Sequence, residues 1–448
     1  MRRALPLILI ALSSFHVWAQ EMANIYNMKT LPQSFYANPS FIPLGRINIA
    51  IPALGSQYIS PGKSDFVLSK VFIRDNNGNY TMDTDRFLNG LNDRNLTTVY
   101  YVNDLLHFGI AIEKNYFMFN ITDRIRLLND FPRNFAFLIG DVLESQIPRF
   151  PIEIDELKVD YRHFREYGLG YARRVDEKLT VGGRLKLYSG LVDIQTINDI
   201  SIENIVLTDL GNPKLTGPAI FNVTSSGLSE YENNPSGLIT GYNNYGFAMD
   251  IGGRYVINRK YEFAASILDM FGTINWQSNV RNYNTDTVEV EISPVTADEL
   301  RSFGDIGYLT DYQQFLDSLS REAGVEVDNN SYQTKTPTRL FVSGGMYVLP
   351  RLQAMILTET VFREDQTDFF LRVSANGRVK RFLGYTLSYA VVDPNQSSLN
   401  LGAGFTVSTG PVQFHAIADN IFDPFQLDEQ NQFSFRFGFN LVIGRDYE

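Results

Sequence analysis

Along most of the chain, apolar residues alternate with small or polar ones at a period of two, not the 3.6 of a helix. In the stretch from Phe433 to Ile443 every odd position is apolar or aromatic, with mostly small or polar residues between. Successive side chains on a strand point to opposite faces, so this pattern predicts a strand with one greasy face and one wet face. The same alternation runs through Leu179–Leu187, Tyr245–Ile257, Leu383–Val391 and Leu399–Val407. In 96–113 the even positions Leu96, Thr98, Tyr100, Val102, Leu106, Phe108, Ile110 and Ile112 read as one face, broken only by Asp104. An ordinary globular strand has about 5–6 residues, and a transmembrane strand about 9–11. The lengths favour the second.

Connections supply an independent regularity. Very short ones fall at Lys114-Asn115, 174–178, 258–260, Pro350-Arg351, Lys380-Arg381 and Gly410-Pro411; long or acidic ones fall at 55–94, 127–153, 198–243, 275–336, 364–368, 393–397 and 423–432. Membrane barrels have short periplasmic turns and longer outer loops, so the two sets sort onto opposite ends with both termini in the periplasm. This predicts strands over 45–54, 96–113, 116–126, 154–173, 179–197, 244–257 and 261–274. It continues with 337–349, 352–363, 368–380, 382–392, 398–409, 411–421 and 432–444. The fold class is therefore all-β: a transmembrane antiparallel β-barrel of about fourteen strands. A hairpin within 198–243 would raise the count to sixteen.

The N-terminus carries Arg2 and Arg3, an apolar run from Ala4 to Leu12, and Val17-Trp18-Ala19 before Gln20. That layout predicts a cleaved signal peptide over 1–19, and hence export. No other segment of the 448 residues offers the run of about 18 apolar positions that a spanning helix requires. Residues 20–44, with Pro32, Asn38-Pro39 and Pro43, have no sustained period and read as a plug-like segment ahead of a barrel over 45–448. Helical spacing recurs in the outer connections, at Phe135, Leu138, Ile139, Val142 and Leu143 and again within 311–322. These are expected to be short helices over the mouth, narrowing it or covering its apolar rim.

Composition narrows the function. The chain has no cysteine, which removes disulfides and thiolate chemistry. A net charge of -11 argues against nucleic acid as a partner. Aromatics are 13% of residues, led by 33 Phe and 24 Tyr, as interfacial girdles require and as other large β proteins also show.

Asn38-Pro39-Ser40, lying between the leader and the first strand, resembles the Asn-Pro-Ala element of the FadL/PorV-like outer-membrane β-barrel superfamily. Position 40 is Ser rather than Ala. The resemblance implies fourteen strands, an N-terminal segment that plugs the barrel, and transport of hydrophobic molecules or service to a secretion complex. That superfamily has a kinked third strand as a lateral exit, and no motif in 116–126 matches it. The string from Asn38 to Leu54, with Arg436–Gly444, is also similar to an uncharacterised Gram-negative family known only as a domain of unknown function.

Catalytic signatures are scarce. The chain lacks His-Glu-x-x-His, a Walker loop and Gly-x-Ser-x-Gly, and Gly168-Leu169-Gly170 lacks the third glycine of a dinucleotide fingerprint. His107, His163 and His415 are far apart in sequence and read as wall residues. Asp75, Asn77 and Asn79 open like a calcium loop, but Tyr80 stands where the sharp turn needs glycine, so a polar turn is the better reading. The chain reads as a non-enzyme with no cofactor and no metal. On the assigned strand phase Arg184, Lys186, Asp250, Arg254, Arg372 and Arg436 point into the lumen, with Lys158, Asp160, Arg162, Glu166 and Glu359. Both signs are present, which favours ion pairs bracing the lumen or holding a plug over a pore selecting one charge.

Two functions follow from this reading. One is a channel or transporter for small hydrophobic molecules, with outer-membrane lipid and such a ligand as partners. The other is a non-transporting accessory or anchor barrel for proteins of a secretion or surface-assembly complex.

Overall fold

The computed structural model describes residues 22–52, 54–63, 72–74, 80–82, 84–137, 152–208, 214–228, 243–285, 288–292, 320, 325–364, 366–380, 382–391, 401–419 and 434–444. The leader at 1–19, the calcium-like turn at 75–79 and most of both expected outer helices lie outside the described residues, although 133–137 is helical.

Fourteen antiparallel strands close into a ring. The first, β1, has two parts, Ile47–Ala50 and Gln57–Lys63; then come β2 (Arg94–Ile112), β3 (Asn115–Pro132), β4 (Ile152–Arg174) and β5 (Leu179–Thr208). They are followed by β6 (Asn244–Ile257), β7 (Tyr261–Trp276), β8 (Thr338–Leu349), β9 (Leu352–Phe362) and β10 (Thr367–Val379). The ring ends with β11 (Leu383–Val391), β12 (Leu401–Thr409), β13 (Val412–Ala418) and β14 (Phe435–Ile443). Each pairs with the next, and β1 pairs with both β2 and β14, so no edge is left in the wall. Closure satisfies the backbone within the sheet, the condition for any β-structure in hydrocarbon. The extra strand within 198–243 exists, as Lys214–Ser226. It pairs with the part of β5 that runs past the wall and with Arg281–Asn284 and Val288–Ile292, while the wall neighbour of β5 is β6. The count stays at fourteen.

The period-two pattern is cashed out as an apolar outside. Leu169, Leu185, Leu187, Phe247, Phe263 and Leu387 are each more than half exposed and lie on the outer face, while the residues between them are small or charged and turn inward. This is the belt of an outer-membrane barrel.

Two strands depart from the simple alternation. The expected strand at 45–54 is interrupted: the chain leaves the ladder after Ala50 and rejoins it at Gln57, while only Asn440 to Phe437 passes on β14. Pro52 cannot donate to a ladder, and a turn bond from Leu54 N to Ile51 O (2.9 Å) closes the excursion. The wall stays sealed through Ile51 N to Phe439 O (3.1 Å) and Phe439 N to Leu54 O (2.8 Å). In β2 the expected single apolar face is wrong. A register shift between Asp104 and Leu106 exchanges the faces, so Val102 and Asp104 are buried inside and Phe108 and Ile112 are exposed outside. One extra residue flips every later side chain.

Candidate functional site

Residues 22–44 run inside the ring. Two short helices, α1 (Ala23–Asn27) and α2 (Ser34–Ala37), are buried at every position. Ile25, Tyr26, Leu31, Phe35 and Phe41 form an apolar cluster with Tyr116, Leu268, Phe341 and Leu357 of the wall. Glycines in the wall make room for this segment beside those apolar residues. A Cβ on Gly182 would lie 2.1 Å from Pro39 O, and one on Gly252 would lie 2.2 Å from Asn38 Oδ1. Gly182 and Gly252 are direct partners across β5 and β6, so together they form a flat seat on which Asn38-Pro39 rests. Gly170 does the same under Phe35.

Asn38 is also fixed by polar bonds. Its amide donates to Ala265 O (3.2 Å) and to the Tyr26 hydroxyl (3.3 Å), and its Oδ1 accepts from Ser40 N (2.9 Å) and Ser40 Oγ (2.6 Å). Ser266 Oγ donates to Ala37 O (2.7 Å), and the Tyr36 hydroxyl shares a hydrogen bond with His107 Nδ1 (2.7 Å). Gln33 and Asn440 exchange amide bonds. Burial pushes the Tyr26 hydroxyl up to about 12 and Tyr36 well above the ordinary range, so both act as neutral phenols.

The lumen charges divide among four places. Arg184, Lys186 and Asp250 come together: Arg184 Nε meets Asp250 Oδ2 at 2.8 Å, Lys186 Nζ meets Asp250 Oδ1 at 2.8 Å, and Arg184 also reaches Glu166 at 3.2 Å. Arg184 additionally lies over the Tyr36 ring, 4.9 Å from its centroid, which ties the cluster to the inner segment. Arg254 is separate and pairs with Glu262 at 2.8 Å, which also takes Lys29 of the segment. Arg372 donates to Asn24 Oδ1 (2.9 Å) and Ser388 Oγ (3.0 Å). Arg436 donates to Ser56 Oγ (3.0 Å), across from the β1 interruption, and lies over Tyr58. Charges in a membrane wall must turn inward and find partners, and these do.

Sequence reasoning passed over Asp269. It accepts from Lys186 Nζ and from the Tyr188 hydroxyl, both at 2.6 Å. Its parity in β7 is that of lipid-facing Phe263 and Phe271. Two register shifts between β6 and β7 and a positive φ of 55° at Asp269 turn it inward. The signal was available: a carboxylate on a lipid-facing parity demands a bulge.

At the end of the lumen that bears the long connections, a cavity of about 100 Å³ lies over the inner segment, with Met22 and Tyr36 in its lining. Five arginines are in its lining. Arg124 pairs with Glu166 (3.1 Å), Arg126 with Asp160 (2.9 Å) and Arg162 with Asp193 (2.7 Å). On the far side Arg339 pairs with Glu359 (3.4 Å) and Arg363 with Asp368 (2.8 Å).

Residues 39–419 match the model of a family of unknown function, DUF5723. The chain belongs to that family. No curated protein matches its sequence. Among solved structures, it is similar to the toluene transporter TbuX of Ralstonia pickettii, at 9% identity and a TM-score of 0.46 over 92% of this chain and 94% of that one. It is also similar to a FadL homologue of Pseudomonas aeruginosa, at 10% identity and a TM-score of 0.44 over 96% and 100%. The toluene transporter TodX of Pseudomonas putida aligns at 9% identity and 0.44 over 91% and 92%. At such scores, what those proteins carry stays theirs. The fold of this DUF5723 chain rests on its own strand ladder.

Proposed function

We propose that this DUF5723 barrel is an outer-membrane uptake channel for small molecules, closed at rest by residues 22–44 acting as a plug. One observation carries the reading: the cavity abuts the seated segment, since Met22 and Tyr36 belong both to the segment's buried cluster and to the cavity lining. A molecule arriving from the long-loop end meets Phe164 and Leu268 before it meets the plug. These apolar groups support a hydrophobic body as cargo.

Liposome permeation tests the proposal. Vesicles carrying the wild-type chain stay tight to small solutes, and vesicles carrying Gly182→Ala, whose new Cβ collides with Pro39 O, become leaky. If the plug is shown to be displaced and the vesicles remain tight, transport is refuted. Stoichiometric co-purification with a larger complex would then favour an accessory barrel.

A further inference from the structure

The five arginine pairs around the cavity share an asymmetry that ion pairs built only as braces do not need. In each the carboxylate is the more deeply buried partner: side-chain exposure is 16% for Arg363 against 1% for Asp368, 15% for Arg339 against 3% for Glu359, and 7% for Arg162 against 0% for Asp193. Arg124 over Glu166 and Arg126 over Asp160 follow the same order. The pairs are neutral as units, but their positive ends face the cavity and their negative ends lie behind it. Potential falls with distance, so an occupant feels the nearer cation more than the farther carboxylate. Asp269, the one carboxylate on the described lining, reverses that order, 20% exposed against 1% for Lys186, and is held by Lys186 and Tyr188, so five arginines face one neutralised carboxylate. Between the cations lie Phe164 and Leu268.

We infer that the cavity is a binding site for a small organic anion, its charged head among Arg126, Arg162 and Arg363 and its apolar body on Phe164 and Leu268. At about 100 Å³ the space is smaller than the engineered apolar cavity of about 150 Å³ that accepts benzene, but it is open on one side, so a single-ring occupant need not be fully enclosed. This deepens the uptake proposal and rests on it for its biological sense, while the binding itself is measurable without transport.

Isothermal titration of the full-length barrel in mild detergent tests the site with three probes: benzoate, which has both charge and ring; toluene, which has only the ring; and inorganic phosphate, which has only charge. Benzoate binds at least tenfold more tightly than either of the others, and its affinity falls as salt is raised. The double substitution Arg126→Gln with Asp160→Asn removes the most exposed pair without changing net charge, and it weakens benzoate about tenfold while leaving toluene unchanged. Heat-modifiable migration of the double variant confirms that the barrel is folded. Equal binding of toluene and benzoate overturns the inference, as does benzoate affinity indifferent to both salt and the double substitution. Leak through Gly182→Ala without benzoate preference sinks the site and leaves the channel standing. Benzoate binding without leak does the reverse.

Discussion

Replacing Gly182 by alanine puts one methyl group where the inner segment touches the wall. The added Cβ would lie 2.1 Å from Pro39 O and 2.6 Å from Pro39 C, both backbone atoms that cannot swing aside. Either β5 shifts, at the roughly 1–3 kcal/mol typical of overpacking, or the Asn38-Pro39 turn lifts from its seat. Lifting sacrifices the bonds beside it, from Ser266 Oγ to Ala37 O and from Asn38 to Ala265 O. A buried polar group left unsatisfied costs about 1–3 kcal/mol, so both routes meet near 2 kcal/mol, about a thirtyfold change in the seated fraction. The chain has no cysteine, so Ser34→Cys, on buried α2, gives a single thiol to read out. Maleimide labelling of that thiol is expected to be about thirtyfold faster with Gly182→Ala. The adjacent Gly183→Ala is the control, since its Cβ meets nothing closer than Asp250 O at 3.4 Å. Equal labelling rates in the Gly182 and Gly183 variants would refute the seat.

Other consequences are open to measurement. Arg184→Ala strips partners from buried Asp250 and Glu166 and is expected to cost about 3–5 kcal/mol in urea unfolding; Arg254→Ala, at a partly exposed pair, costs less. Trp276 is fully buried at the rim, stacked near Tyr332 and donating to Thr334 Oγ1 (2.9 Å), so Trp276→Ala is expected to lose about 3–5 kcal/mol. Outside the wall, bonds from Asn282 and from the Asn330 backbone N–H hold Asp328 below the ordinary carboxylate range. A depressed folded pKa contributes stability present above the unfolded value near 3.8 and lost as pH falls through the folded value. Amide exchange at Asn330, corrected for its intrinsic pH dependence, should therefore lose protection below about pH 4 and stay unchanged from pH 5 to 8.

Much of the fold was legible because the membrane makes strict demands on sequence. Every second residue of a wall strand must be apolar, and Leu185 and Leu187 bracket Lys186 accordingly. The failures occur where a residue count departs from two per repeat. The shift at Leu105 that turns Val102 inward and Phe108 outward was signalled only by Asp104 interrupting the apolar face, because Val, Tyr and Thr serve on either face. The interruption of β1 was readable in Pro52 and Gly55, which were absorbed into a strand and a loop. Arg184 and Asp250 could be placed in the lumen by parity, but their meeting depends on the β5–β6 register, which no single strand reveals. The seat on Gly182 and Gly252 was hidden for the same reason: each glycine alone is an ordinary small lumen residue.

The distribution of charge also argues against reading the lumen as inert filler. If the pairs served only to keep charges out of lipid, either partner could face the centre, and a mixture of orders would be expected among the five Arg-carboxylate pairs at the cavity. A shared order, cation inward and carboxylate behind, gives the cavity a sign that no single pair has. Elsewhere in the lumen the cations are spent on the inner segment instead: Arg184 stacks on Tyr36, and Arg372 binds Asn24. The arginines nearest the long-loop end line the cavity together with Met22 and Tyr36 of the inner segment, while their carboxylate partners are not part of the described lining. Exchanging Arg363 and Asp368 tests this without altering composition: the pair remains, its order reverses, and benzoate affinity should fall while heat-modifiable migration shows the barrel still folded.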